Sequence, residues 1–193
     1  MSQTIDSLAE ANSGGKFIGD DSSRTLSMTV LMTPDMANFS GNVHGGSLLK
    51  LADQVAYACG SRYAGTYVVT LSVDQVMFKQ PIHVGDLVTF YASVNYVGRT
   101  SMEVGIKVTA ENIRDRVCRH TNTCYFTMVA MDDHRQPVAV PQVVPRTRDE
   151  RRWFRGAEFR RELRREIQAR QKEVLDRVLS EEQEKTASTT KTP

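Results

Sequence analysis

The sequence predicts an α+β fold: a five-stranded antiparallel sheet wrapped around one central helix, with an extra long helix at the C-terminal end. Three observations predict it. Five segments either alternate apolar and polar residues or run β-branched, and one stretch between the first and second follows the helical period instead. The resulting order is β, one long helix, then four β. A single helix cannot cover both faces of five strands, so the sheet must curl around it and use its edge or outer face for self-association.

Residues 1–23 are polar and rich in small residues, which predicts a flexible N-terminal arm. From Arg24 the pattern becomes strict alternation, with Leu26, Met28, Val30 and Met32 apolar against Thr25, Ser27 and Thr29. That is a strand with one buried face. A loop with Pro34, Asn38, Gly41 and Asn42 follows. The helix is expected from about Gly46 to Tyr63. At 100° per residue Leu48, Ala52, Val55, Ala56, Cys59 and Tyr63 share its buried face, and Asp53 falls at the edge of that face near Leu49, Tyr57 and Gly60.

Thr66 to Phe78 is apolar and β-branched and reads as the second strand, closed by Pro81. Val88, Phe90, Ala92, Val94 and Tyr96 then alternate along Leu87 to Tyr96. After the turn Gly98-Arg99-Thr100, Met102, Val104, Ile106, Val108 and Ala110 do the same, so the two runs form a hairpin. Val117 to Met131 is the fifth strand, on which Cys118, His120, Asn122 and Cys124 are expected to share a face. Beyond Pro145 the composition shifts to Arg and Glu. Residues 146–185 read as an amphipathic helix carrying Phe159, Leu163, Ile167, Val174 and Val178, with pairs such as Glu166/Arg170 and Glu173/Arg177. Its expected role is packing on a neighbouring subunit, and residues 186–193 read as a disordered tail.

Composition excludes several functions. Lys and Arg number 25 against 23 Asp and Glu, so the chain is no dedicated nucleic-acid binder, and the basic tail lacks interleaved aromatics for stacking on bases. No apolar run is long enough to span a membrane, and the N-terminus has no signal-peptide core. The three cysteines form no CxxC pair or zinc-like spacing, so no metal and a reducing cytoplasm are expected. No cofactor is implied.

The most informative stretch is GNVHGGSLLKLADQ, residues 41–54. A helix entered through Gly45 and Gly46 leaves N–H groups free at its positive end, suited to a polarised carbonyl oxygen. Asp53, two turns on, is a carboxylate on an otherwise apolar helix, which is costly without a task. Together they read as an active site.

The NVHGG-to-Asp segment, the βαββββ order and the blocks FKQPIHVGDLVTFYASVNYVGRTSMEVGIKV and FTMVAMDDHRQPVAVP resemble hotdog-fold acyl-CoA thioesterases. The YciA-like bacterial enzymes and the cytosolic (brain-type) acyl-CoA hydrolases are the subgroup most similar. The resemblance covers residues 24–145 and implies hydrolysis of fatty acyl-CoA to free acid and coenzyme A. It implies a functional Asn before the HGG turn, matched by Asn42, and an Asp on the central helix, matched by Asp53. The two come from different domains in two-hotdog relatives. A homodimer would therefore complete two sites, and a trimer of dimers, a hexamer, is the expected assembly.

The chemistry asks for these groups. Asp53 would activate water as general base, or attack directly as a nucleophile, and both routes stay open. Gly45 and Gly46 N–H groups would hold the developing oxyanion, with His44 shaping the turn beside the thioester. Arg99, Thr100 and Ser101 of the GRTS turn would grip coenzyme A phosphate, with Lys79 as a second cation. The acyl chain would run near Leu49 and Tyr57. Two alternatives remain: a hotdog dehydratase or hydratase acting on acyl thioesters, and a non-catalytic acyl-CoA or nucleotide sensor.

Overall fold

The computed structural model describes residues 23–189, with the backbone alone for 181–189. The expectations for the N-terminal arm up to residue 22 and for residues 190–193 lie outside the described residues. The chain divides at Val144/Pro145 into two compact units.

The first unit is one five-stranded antiparallel sheet with a helix against it. Its elements are β1 (Thr25–Leu31), α1 (Gly45–Ala64), β2 (Tyr67–Val73), β3 (Asp86–Val97), β4 (Ser101–Asn112) and β5 (Val117–Met131). The strand order is β1-β3-β4-β5-β2, so β2, entered directly from α1, is an edge strand at the far side from β1. α1 touches all five strands. Its buried residues are Leu48, Ala52, Val55, Ala56, Cys59, Gly60 and Tyr63, the face read from the helical period plus one glycine. Gly65 ends it in the left-handed conformation at φ 68°, which glycine adopts without the steric cost of a Cβ. The opposing layer is Val88, Phe90, Ala92 and Val94 of β3, Met102, Val104, Ile106, Val108 and Ala110 of β4, and Cys124, Phe126, Met128 and Ala130 of β5, all buried. Each large side chain so buried is worth roughly 1.5–3 kcal/mol of transfer free energy.

Three strand expectations change, each through an irregularity of pairing. The ladder between β3 and β4 shifts register between Val94 and Tyr96, so Asn95 is the extra residue, its side chain buried against Gly105, while Tyr96 leaves the apolar row and Val97 takes its place in the core. A second shift between Val108 and Thr109 makes Thr121 the extra residue of β5. Cys118 and His120 therefore fall on the face opposite Asn122 and Cys124, and the four do not share a side. Finally, β2 stops at Val73 rather than Phe78. Beyond it the chain keeps only scattered bonds to β5, such as Asp74 N–H to Tyr125 O at 3.0 Å and Lys79 N–H to Thr121 O at 3.2 Å.

The second unit is a single 42-residue helix, α2 (Arg148–Thr189), four residues longer at its C-terminal end than the predicted 185. Thr147 and Glu150 cap its start reciprocally: Glu150 Oε2 accepts from Thr147 N, and Thr147 Oγ1 accepts from Glu150 N. Arg170 pairs with Glu166 and Arg177 with Glu173 along its solvated face.

Candidate functional site

Asp53 stands at the mouth of a cleft between the first half of α1 and the edge of the sheet. The cleft is about 470 Å³ and is lined by Leu49, Val73, Asp74, Val76, Phe78 and Phe126 besides Asp53 itself. Its wall is apolar because β2 and the segment after it turn Val73, Val76 and Phe78 toward α1. Phe78 reaches far enough to lie against the helix start, where a Cβ on Gly45 would meet its ring at 3.4 Å. One oxygen of Asp53 is already fixed, since Thr70 Oγ1 donates to Asp53 Oδ1 at 2.6 Å. Thr70 faces the helix by simple alternation from the buried Val68, opposite Met128, and the bulge that follows between Thr70 and Ser72 leaves Leu71 unpaired and 67% exposed. Alternation from Val68 puts Thr70 on this face, but a threonine in a strand carries no mark of a partner on the helix.

At the helix start the two glycines are not equivalent. His44 is the N-cap, and its side-chain Nδ1 accepts the Gly46 N–H at 3.0 Å. That bond places the proton of the neutral imidazole on Nε2. The carbonyl of His44 accepts from Ser47 and Leu48. Gly45 N–H alone of these first amides has no acceptor among the described residues, so the pair of free donors expected from Gly45 and Gly46 is reduced to one.

The loop before the helix is clasped by Asn38. Its Oδ1 accepts from Ser40 N at 2.9 Å and from Asn42 N at 3.2 Å, while Asn38 N–H donates to Asn42 O at 2.6 Å. The Asn38 side-chain amide N–H groups have no protein acceptor among the described residues. Asn42 also bridges to His83. The 81–86 loop beneath it is held by a buried ion pair: Asp86 Oδ2 accepts from Arg119 at 2.6 Å and from His83 N at 2.9 Å.

The remaining sequence candidates scatter. Leu49 lines the cleft. Tyr57 lies outside it, packed edge-on against Tyr67 with ring centroids 5.9 Å apart. Lys79 is exposed one residue past Phe78. Arg99, Thr100 and Ser101 lie at the other end of α1. Arg99 O accepts from Val140 N, and the neighbouring Pro141 O accepts from Tyr63 in the last turn of the helix. The 20 residues of α1 put that end about 30 Å from Gly45. Even Asp53 is two turns, about 12 Å of helical rise, from the Gly45 N–H. One chain thus holds the Asp53 carboxylate, the Gly45 amide donor and the GRTS turn at places that do not meet one another.

Among the described residues no group of His, Cys, Asp or Glu is placed to hold a metal ion. No described helix is long and apolar enough to cross a membrane.

Comparison with known proteins places this architecture. Residues 40–117 match the thioesterase superfamily. The chain is 52% identical over 149 residues to the protein VdlD of Helicobacter pylori, covering 77% of this chain and 85% of that one. Among solved structures, an apo-hexameric acyl-CoA thioesterase superimposes with a TM-score of 0.72 at 36% identity, over 74% of this chain and 92% of that one. The acyl-CoA hydrolase of Staphylococcus aureus, solved with butyryl coenzyme A, coenzyme A and coenzyme A disulfide, gives 0.74 at 29% identity, over 81% and 96%. Alanine variants of that hydrolase at an asparagine, an aspartate and a threonine have also been solved. The chain belongs to the thioesterase superfamily, among its hotdog-fold acyl-CoA thioester hydrolases.

Proposed function

We propose that the chain hydrolyses acyl-CoA thioesters at sites built from two copies of itself. Each site takes Asp53 and Thr70 from one copy and the Gly45 N–H with Asn38 from the other. The observation that carries this reading is the 12 Å offset of Asp53 from its own helix start. A reacting carbonyl must lie about 3 Å from both base and oxyanion donor, which one helix cannot arrange but a paired one can. Edge strand β2 supports the pairing: Tyr67, Leu71 and Val73 are 55%, 67% and 44% exposed beside its unpaired backbone edge.

In this reading Asp53 is the general base. Thr70 holds one carboxylate oxygen, leaving the other to take the proton of the attacking water. Gly45 N–H receives the developing oxyanion, and the leaving thiol, with a pKa of about 8.5, departs without a strong acid. Asn38 is preferred to Asn42 as the functional amide. The three positions replaced by alanine in the Staphylococcus aureus hydrolase are separated along its chain as Asn38, Asp53 and Thr70 are here. Asn38 also has free N–H groups to turn on the thioester. Leu49 and Phe78 line the acyl path, with Tyr57 beyond it at the seam between copies. The GRTS turn, with Arg99, Thr100 and Ser101, and Lys79 receive coenzyme A phosphates, no cofactor takes part, and the setting is cytoplasmic. The 24–145 segment forms the catalytic domain, with α2 as an appendage.

Complementation tests the shared site. Asp53→Asn and Asn38→Ala variants are each inactive alone. Mixed, unfolded and refolded together, they regain about a quarter of wild-type thiol release, because half of the pairs are mixed and each mixed pair has one intact site. A mixture as inactive as its parents would show that each chain carries its own site. Addition of water to an enoyl thioester without thiol release would instead mean a hydratase.

A further inference from the structure

α2 leaves an apolar stripe without a partner. Phe159, Leu163, Ile167, Val174 and Val178 are between 39% and 60% exposed, as are Leu175 and Leu179 at its border. Leu163 and Val174, and likewise Ile167 and Val178, stand three turns apart. This spacing keeps the stripe nearly parallel to the helix axis, as side-by-side helix packing requires. A long helix gains most of its stability from burying such a face, and nothing in its own unit does so.

Charge along α2 identifies the occupant. Residues 148–172 carry ten Arg and Lys against five Asp and Glu, whereas residues 173–185 carry two basic residues against five acidic ones. A second copy laid parallel would set like charge on like. Laid antiparallel, it opposes them. We propose that α2 pairs antiparallel with the α2 of a second copy, about a two-fold axis between Arg170 and Gln171. Ile167 then meets the partner's Val174 and Leu163 meets the partner's Val178. The proposal stands apart from the reading of the catalytic site, because it uses no residue of that site.

Crosslinking of the full chain tests it, in a Cys118→Ser background since Cys118 is the one exposed cysteine. Ile167→Cys and Val174→Cys together give disulfide-linked dimers on oxidation, while each alone gives none. Seven residues apart on one helix, about 10 Å, the two cannot bridge within a chain. In a separate variant, Ile167→Glu with Val174→Glu lowers the assembly mass by half or more in analytical ultracentrifugation and leaves acyl-CoA hydrolysis in place, which reports an intact core. Crosslinking by either single cysteine would overturn the antiparallel arrangement. An unchanged mass for the glutamate variant would overturn the pairing. So would stripe-dependent binding to phosphatidylglycerol vesicles with no change of mass, which would assign the face to a lipid surface.

Discussion

Gly45→Pro removes one atom group from the proposed oxyanion site and little else. Proline is favoured at the first helical position because the missing N–H has no partner there and the fixed φ suits the helix. Here the Gly45 N–H is indeed unengaged, and His44 before it is already extended at φ −66°, ψ 131°, the conformation a following proline demands. The added Cβ meets the Phe78 ring at 3.4 Å, ordinary van der Waals contact. Folding should therefore be unaffected within about 1 kcal/mol. Catalysis should not, because deleting one oxyanion donor costs about 3–4 kcal/mol, a loss of about 10²–10³ in kcat. Gly45→Ala is the matched control, since it brings the same Cβ and keeps the N–H. The assay is thiol release from an acyl-CoA, read as kcat for the two variants beside their circular-dichroism melting curves. If Gly45→Pro folds normally and its kcat lies within threefold of Gly45→Ala, this amide does not hold the oxyanion.

Asp53→Asn should abolish turnover while coenzyme A still binds by calorimetry; full activity would remove Asp53 from the mechanism. Single-turnover hydrolysis in ¹⁸O-water should leave the label in the product acid and none in Asp53, whereas label in the carboxylate of Asp53 would mean direct attack through an anhydride. Arg119→Ala should destabilise the chain by about 3 kcal/mol, because it strands the buried Asp86 carboxylate under the Asn42 loop; a melting temperature unchanged within 2 °C, about the effect of 0.5 kcal/mol, would contradict that. Burial pushes the Cys59 and Cys124 thiols up to about 12 from 9.0, in Cys59 against a smaller opposing pull from Arg62. Both stay protonated in the fold where the unfolded chain ionises, so stability is retained below about pH 9 and declines as pH rises from there toward 12. At pH 8 Ellman's reagent should accordingly titrate Cys118 at once and the other two only after unfolding.

The helix and its buried face were legible because α1 packs along one side and its apolar spacing has no interruption. The antiparallel sheet curled on a single helix followed from strand count, and the β3–β4 pairing from the turn between them. The place of β2 at the far edge did not, since a strand reached from a helix can dock on either side. The bulges at Asn95 and Thr121 were not legible, since an extra residue leaves composition unchanged and reveals itself only when partner strands are in register. Those bulges are why Tyr96 and His120 were assigned to the wrong faces. The end of β2 was misread because an apolar run on an edge strand, with Leu71, Met77 and Phe78 exposed, looks in sequence like a buried one. The NVHGG turn and Asp53 stood out through residue types that are expensive without a function. Thr70 and Asn38 did not, as a threonine in a strand and an asparagine in a loop are what those places usually hold. That His44 would occupy the Gly46 amide depends on a side-chain rotamer, which spacing cannot supply.

The bulge at Asn95 has a consequence for how the β3–β4 hairpin is matched. The side-chain amide of Asn95 occupies the space that a Cβ at position 105 would take, and it donates toward the buried Glu103 at 3.4 Å. Gly105 is thus a keyhole cut for one particular side chain. A two-residue slip would keep every inward-facing apolar residue inward and so escape the hydrophobic pattern, but it would drive Asn95 into a filled position. Positions 95 and 105 therefore act as a lock for strand alignment, and drift at either should be tolerated only when the other changes with it.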